Sequence, residues 1–164
     1  MDDNRILIKL TNISSHIENE EFFSLRVVFD HDANHVRYAG FYYGCDDLLE
    51  LAVDRDSGML RSILLTICNH YSIFDSCFDY GNIVPSDEEV IIRLTDHNEC
   101  SVFNMDVFNN SAVIKVSETV PSKYVKCGQV LFGIDDNSNI CIFIVTELND
   151  DNVRHIVYEL ESQS

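Results

Sequence analysis

The chain has 164 residues, of which 46% are hydrophobic and 24% are charged, and 11 Lys and Arg against 28 Asp and Glu give it a net charge of −17. This length suits one domain with a sizeable core, so we predict a single domain over residues 1–164. A disordered chain would lack this apolar content, and a protein that binds nucleic acid directly would need Lys and Arg against the phosphates. The composition excludes both classes and favours a basic partner.

Apolar runs in the N-terminal half predict β-strands joined by hairpins. One hairpin is expected across the polar turn at 30–35, and a second across Asp-Arg-Asp-Ser-Gly at 54–58, where Gly58 suits the positive φ of a tight turn. Residues 14–21 are consistent with one helical turn. The predicted strands of this half are 6–10, 22–29, 36–43, 48–53 and 59–68.

The C-terminal half predicts further strands and then a helix. A third hairpin is expected around the polar turn at 135–139. Val153, Ile156, Val157 and Leu160 form one helical stripe, so we predict a helix over 150–161, capped by Asn149 and covering one face of the sheet. The predicted strands of this half are 90–94, 101–103, 112–116, 129–134 and 140–146. The fold class is therefore α+β: a mostly antiparallel β-sheet built from hairpins, with a C-terminal helix packed on it.

The N-terminus and the cysteines indicate a cytoplasmic protein. The first residues carry acids where a signal peptide needs a positive region, and the longest apolar stretch, 140–145, is far too short to span a membrane. The six cysteines form no C-x-x-C pair, and cytosolic thiols stay reduced. We expect Cys68 and Cys141, which lie in apolar runs, to be core residues without a metal or redox role.

Known catalytic patterns are missing from the sequence. It has no phosphate-binding glycine motif, no H-E-x-x-H and no G-x-S-x-G. His31 and His35 fall in a predicted turn, where a metal pair is not expected. Asp54 and Asp56 resemble half a calcium loop, but the twelfth position, which needs a Glu, is Leu65. We therefore predict no enzyme activity, no cofactor and no metal.

The negative charge is concentrated in the middle of the chain. Residues 62–111 hold one basic residue, Arg93, and eight acidic ones, and residues 69–89 combine aromatic and acidic side chains with no Lys or Arg. Two interpretations stay open: a core-packing loop with its aromatics turned inward, or a binding surface with aromatic anchors and steering carboxylates. Under the second interpretation, the partner-binding residues are Phe74, Asp75, Phe78, Asp79, Tyr80, Asp87, Glu88 and Glu89.

Residues 44–68 carry a small loop, an L-x-E-x-x-V-D strand ending at Asp54, a turn ending in Gly58, and then L-x-S-I-x-L from Leu60. This pattern resembles a hairpin in immunity proteins of bacterial polymorphic-toxin systems, which include contact-dependent growth inhibition systems. The segments 130–136 and 140–146 and the tail helix are similar to the end of such chains. The resemblance covers about half of the sequence and includes no diagnostic motif.

The resemblance implies a small cytosolic protein that binds and blocks the toxin domain of its own system. Such toxins are often nucleases, whose basic active sites an acidic protein is suited to occlude. The family shares no catalytic residues and its toxin contacts vary, so the eight residues named above are inferred from composition alone. Two alternatives stay open: an acidic nucleic-acid mimic that inhibits a DNA-binding enzyme, and a small enzyme that acts on a cationic substrate.

Overall fold

The computed structural model describes residues 5–30, 35–44, 47–81 and 83–163. Its fold class is α+β, as predicted: mostly antiparallel sheets and, within the described residues, one C-terminal helix. The first nine strands are β1 (Ile6–Leu10), β2 (Ser15–Ile17), β3 (Leu25–Phe29), β4 (Val36–Tyr43), β5 (Asp47–Asp54), β6 (Leu60–Ile67), β7 (Tyr71–Ile73), β8 (Pro85–Ser86) and β9 (Val90–Leu94). The remaining elements are β10 (His97–Glu99), β11 (Asn104–Val107), β12 (Ala112–Lys115), β13 (Lys123–Cys127), β14 (Val130–Ile134), β15 (Ile140–Val145) and helix α1 (Asp150–Ser162).

Two larger sheets pack face to face as a sandwich. Among the described residues, one sheet has the order β10-β4-β5-β6-β3-β2 and the other the order β7-β11-β12-β15-β14-β13-β8. Alternate side chains of both sheets point into one apolar cluster. Phe41 of β4 and Phe143 of β15 meet there edge to face, with ring centroids 5.5 Å apart. The interior is therefore shared by both sheets.

A two-stranded ribbon of β1 and β9 packs on this shared core. Ile8 lies opposite Ile92 in its antiparallel register, and both side chains belong to the core cluster. The ribbon is tied to the β5–β6 turn, because the backbone N–H of Lys9 donates to the carbonyl of Gly58 at 2.7 Å. Gly58 has φ of 78°, and a Cβ there would lie 3.1 Å from the Leu7 carbonyl oxygen, so a glycine suits this position.

Two of the three predicted hairpins are confirmed. β5 pairs with β6 around residues 54–58, and β14 pairs with β15 around residues 135–139. The predicted hairpin of 22–29 with 36–43 is wrong, since β3 pairs with β2 and β6 while β4 pairs with β5. β4 matches β5 along eight residue pairs, and β6 presents its other edge to β3. Residues 31–34 of the expected turn lie outside the described residues.

Two local predictions are corrected. The expected helical turn at 14–21 is wrong: Ser15–Ile17 pairs with β3 as an edge strand, and residues 18–21 form no helix. The expected strand at 101–103 begins later, at Asn104, since Phe103 is a fully buried core side chain that precedes the β11 ladder. β13 was not predicted, although Val125 and Cys127 are buried and Lys126 between them is exposed, the alternation of a strand with one face in the core.

Helix α1 begins and ends nearly where predicted. Asn149 caps it, accepting from the N–H of Asn152 while the Asn152 side chain accepts from the N–H of Asn149. Its apolar stripe enters the interior, where Ile156 and Leu160 join the core shared by both sheets. After the helix, the Gln163 amide donates to the Thr66 carbonyl at 2.9 Å. The end of the helix therefore lies beside the end of β6.

The described cysteines are free thiols. Cys68 and Cys141 are buried, as predicted for core residues, and Cys77 is exposed. Cys45 lies outside the described residues. In the described part of the chain, no helix combines the length and the apolar character that crossing a membrane requires.

Candidate functional site

The acidic segment, defined here as residues 74–89, begins on the outer face of the seven-stranded sheet. Val113, Leu131 and Ile144 project from β12, β14 and β15 to the face opposite the shared core. Phe78 and Tyr80 pack against them and are themselves partly buried. The first part of the segment therefore covers a second, smaller apolar cluster, which fixes its position on the sheet.

Hydrogen bonds fix the start of the segment to the end of β11 and to the loop after it. The N–H of Phe74 donates to the Val107 carbonyl at 2.8 Å, and the N–H of Phe78 donates to Oδ1 of Asn110 at 2.8 Å. The Tyr80 hydroxyl is hydrogen-bonded to the Ser111 hydroxyl. Backbone and side-chain bonds thus hold residues 74–80 against the sheet, so the outward side chains of this part have defined positions.

A tight turn follows the aromatic part of the segment. Gly81 has φ of 49°, in the left-handed region that glycine adopts without strain. Its N–H donates to Oδ1 of Asp79 at 2.9 Å, and the N–H of Ile83 donates to the Tyr80 carbonyl at 2.9 Å. The turn leads into β8, and residues 87–89 then connect β8 to β9.

The aromatic side chains divide into an inward and an outward group. Phe78 contacts Tyr80 and Phe108 edge to face, with centroids 5.0 and 5.2 Å apart, and points toward the sheet. Phe74 stacks on Phe108 at 5.0 Å and keeps 43% of its surface exposed. Phe78 and Tyr80 therefore pack inward, as the core-packing interpretation expects, whereas Phe74 stays accessible to solvent.

The carboxylates of the segment all face solvent. Asp75, Asp79, Asp87, Glu88 and Glu89 are exposed, and none is in an ion pair with the described residues. Their hydrogen bonds within the protein come from neutral groups, such as the Gly81 N–H on Asp79. The five negative charges of the acidic segment are therefore available to a partner.

Other acidic residues are paired within the chain. Arg26 lies 3.1 Å from Glu18 and 2.6 Å from Glu20. Oδ1 of Asp30 lies 3.3 Å from His16. All ion pairs between described residues involve positions outside residues 71–96. The acidic segment therefore lacks the internal counter-charges that these regions have.

A shallow hollow of about 370 Å³ borders the acidic segment. Tyr80, Ile83 and Leu131 supply apolar surface, and Lys126 and Glu147 place one charge of each sign at it. A hollow with an apolar lining and a polar rim suits a side chain of a protein partner.

A second concave region, of about 610 Å³, lies beside β7 and β11. His70, Asp106 and Lys115 line it, and burial raises the pKa of the Asp106 carboxyl. Nδ1 of His70 lies 3.2 Å from Oδ2 of the buried Asp47. A carboxylate can orient an imidazole in this way for proton transfer. The described residues contain no group of three or more His, Cys, Asp or Glu side chains placed to hold a metal ion.

Three thiols are poor nucleophiles in this fold. Burial raises the pKa of Cys68 and Cys127 to about 12. It also raises the pKa of Cys100 to about 12, with a smaller contribution from the Glu99 charge. Because the thiolate is the reactive form, these three cysteines are inert near neutral pH.

The second apolar cluster was not predicted, although the sequence contains a signal for it. Residues 130–134 and 140–145 are nearly uninterrupted apolar runs, which are typical of strands buried on both faces. In the structure, Leu131 and Ile144 point to the outer face of the seven-stranded sheet, where the acidic segment covers them. Phe108 was also missed, because its role depends on a stacking contact with Phe74 that is distant in sequence.

The chain matches no protein-family model, and no curated protein matches it either.

Proposed function

We propose that this protein is an immunity protein: an inhibitor that acts in the cytoplasm, binds a cognate basic toxin domain and occludes its active site with the acidic segment. A nuclease is the class of toxin that suits this surface best. The observation that carries the proposal is the set of five exposed carboxylates of the acidic segment, which have no ion-pair partners among the described residues.

Electrostatics supports this choice of partner. A nuclease active site is positively charged because it holds phosphates, so carboxylates at fixed positions can take the place of phosphate oxygens. A net charge of −17 also attracts a basic partner over distance. Steering of this kind raises association rates to about 10⁸ M⁻¹s⁻¹ at low salt.

Apolar side chains beside the carboxylates support a stable complex. Phe74 is 43% exposed, and Val84, on the same segment, is 83% exposed. Buried aromatic and aliphatic anchors carry much of the affinity of protein interfaces, whereas rim charges mainly set specificity and association rate. The hollow beside Tyr80 offers a complementary site for a side chain of the toxin.

Co-expression tests the proposal directly. The chain is produced together with the toxin domain encoded beside it, and bacterial growth and co-purification are measured. We expect the chain to restore growth and to elute with the toxin as a complex that dissociates as salt is raised. A toxin that still kills the cells and does not co-purify would overturn the proposal. Capture of a DNA-binding enzyme that is not a toxin would instead favour the nucleic-acid mimic.

A further inference from the structure

Strand β9 has the longest open edge among the sheets of the described residues. It pairs with β1 along five residues, and no other described strand pairs with it. The two larger sheets end in strands of only two or three residues, namely β2, β7, β8 and β10. Short edge strands protect a sheet against further pairing, whereas a five-residue edge can pair with another strand.

The direction of the open backbone groups follows from one hydrogen bond. The N–H of Lys9 in β1 points away from β9, because it donates to the Gly58 carbonyl. Lys9 and its partner Ile91 therefore form a non-hydrogen-bonded pair in the antiparallel ladder. By alternation, the N–H and C=O groups of Ile91 and Arg93 point away from β1, toward the open edge.

The side chains beside this edge are both apolar and charged. Ile91 is 48% exposed and Arg93 is exposed, while Ile92 between them is buried in the core. Glu89, just before the strand, is also exposed and belongs to the acidic segment. Glu89 thus lies two positions before the exposed Ile91, and Arg93 lies two positions after it.

We propose that a second copy of this chain pairs with β9 antiparallel across a two-fold axis at Ile91. This register places Ile91 opposite its own counterpart and Glu89 of each copy opposite Arg93 of the other. The outward N–H and C=O groups then complete a four-stranded sheet across the two copies. The alternative register, centred on Ile92, would place Arg93 opposite Ile91 and leave both charges without partners, so charge complementarity selects the first.

Salt gives this dimer a distinctive signature. Each copy carries a charge of −17, so the two copies repel one another over distance. Salt screens this long-range repulsion strongly, but it weakens the two Glu–Arg pairs less, because their charges lie well within one Debye length of each other. We therefore expect dimerisation to strengthen as salt is raised, opposite to the proposed toxin complex. The dimer would pair Glu89, one of the five carboxylates of the proposed toxin site, with Arg93. It is argued from the β9 edge alone, so its failure would leave the proposed function intact.

Sedimentation of the purified full chain, over a range of concentrations and salt, tests the proposal. We expect Glu89→Arg and Arg93→Glu each to weaken dimerisation at least about tenfold, because each change creates two like-charge pairs across the axis. An equimolar mixture of the two variants should dimerise again, since both cross-strand pairs then become Glu–Arg. A matched control is Ile73→Lys, at a 44% exposed position on edge strand β7, which should dimerise like the parent, whereas Ile91→Lys should not.

Three results would overturn the proposal. The first is a parent chain that stays monomeric at every concentration and salt. The second is unchanged dimerisation of Glu89→Arg or Arg93→Glu, and the third is a mixture of these variants that dimerises no better than either alone. Because all the substituted side chains are exposed, circular dichroism should show the parent fold in every variant.

Discussion

The buried carboxylate of Asp47 accepts a hydrogen bond of 2.7 Å from the backbone N–H of Asn69. Its other oxygen lies 3.2 Å from Nδ1 of His70. Asp47 begins β5 and Asn69 follows β6, so this contact joins two neighbouring strand ends in the six-stranded sheet. It also fixes the point from which the chain leaves that sheet, through β7, toward the acidic segment.

Replacing Asp47 with alanine should destabilise the fold. The Asn69 N–H would lose its acceptor, and a lost buried hydrogen bond of this kind costs about 1–3 kcal/mol. Urea denaturation measures the free energy of unfolding. Asp136→Ala, at an exposed turn position, is the matched control and should change it little. Equal losses in both variants would contradict a special role for Asp47.

Reversal of three charges on the acidic segment should weaken toxin binding. Asp75→Lys, Asp79→Lys and Glu88→Lys together move the net charge from −17 to −11, since each reversal adds two charges. We expect slower association, by about tenfold or more at low salt, with a weaker dependence on salt. Stopped-flow mixing with the cognate toxin domain measures both quantities.

A control of equal charge separates position from net charge. Glu118, Asp136 and Glu161 are exposed and lie outside the acidic segment, and their reversal to Lys gives the same −11. This variant should keep most of the association rate, because local complementarity dominates at short range. If both triple variants slow association equally, only net charge matters and the interface lies elsewhere.

Loss of the helix cap should lower stability by about 1 kcal/mol. Asn149→Ala removes the oxygen that accepts the Asn152 N–H at 2.8 Å. Asn137→Ala is the control, because Asn137 lies in an exposed turn where its backbone N–H, not its side chain, makes the hydrogen bond. Thermal or urea unfolding distinguishes the two variants. A control that destabilises the protein as much as Asn149→Ala would argue against the capping box.

The cysteines should differ in reactivity. In the folded protein we expect iodoacetamide to modify the exposed Cys77 well before Cys68, Cys100 and Cys127, whose thiol pKa values of about 12 leave almost no thiolate at neutral pH. Peptide mass spectrometry resolves each site. Unfolding in urea is the control, since it should make all four react alike. Equal rates in the folded protein would contradict the burial of the three thiols.

The β14–β15 turn should contribute stability that depends on pH. Hydrogen bonds from the N–H groups of Asn139 and Asn137 hold the pKa of Asp135 below its ordinary 3.8. Because this pKa is lowered, the charged carboxylate stabilises the fold fully at pH values above 3.8. This contribution is lost as the pH falls through the pKa that Asp135 has in the folded protein.

The test compares the free energy of unfolding of the parent with that of Asp135→Ala, by urea denaturation from neutral pH down to below pH 3.8. We expect the variant to be less stable at neutral pH and the difference to shrink in acid. Asp136→Ala, at the neighbouring exposed position, should show little difference at any pH. A difference for Asp135→Ala that is the same at all pH values would show that its carboxylate charge is not involved.

Local turn chemistry explains which parts of the fold could be predicted. The β5–β6 and β14–β15 hairpins close through short polar turns, and Gly58 supplies the positive φ that one of them needs. One of the two strands that pair with β3 is β6, more than thirty residues away, and nothing near residues 22–29 specifies this pairing. Sequence alone therefore predicted elements and adjacent hairpins, but not the order of strands in the sheet.

The candidate site was also predicted only in part: its position follows from the local sequence, whereas the orientation of its side chains does not. Charge and composition placed it between residues 74 and 89, where five acids occur without a Lys or Arg. The orientation of its aromatics depends on distant side chains, such as Phe108 beneath Phe74 and Leu131 beneath the inward group. Whether a given aromatic points inward is a tertiary property that a single sequence does not determine.

The apolar cluster beneath Phe78 and Tyr80 contains residues that the ribosome synthesises well after the acidic segment. Val113 is synthesised more than thirty residues after Phe78, and Ile144 more than sixty. The ribosome adds about 5–20 residues per second, so several seconds pass between synthesis of the acidic segment and synthesis of the strands beneath it. In a nascent or truncated chain that ends before β15, Phe78 and Tyr80 therefore lack part of the apolar surface on which they pack, and the carboxylates beside them lack that support.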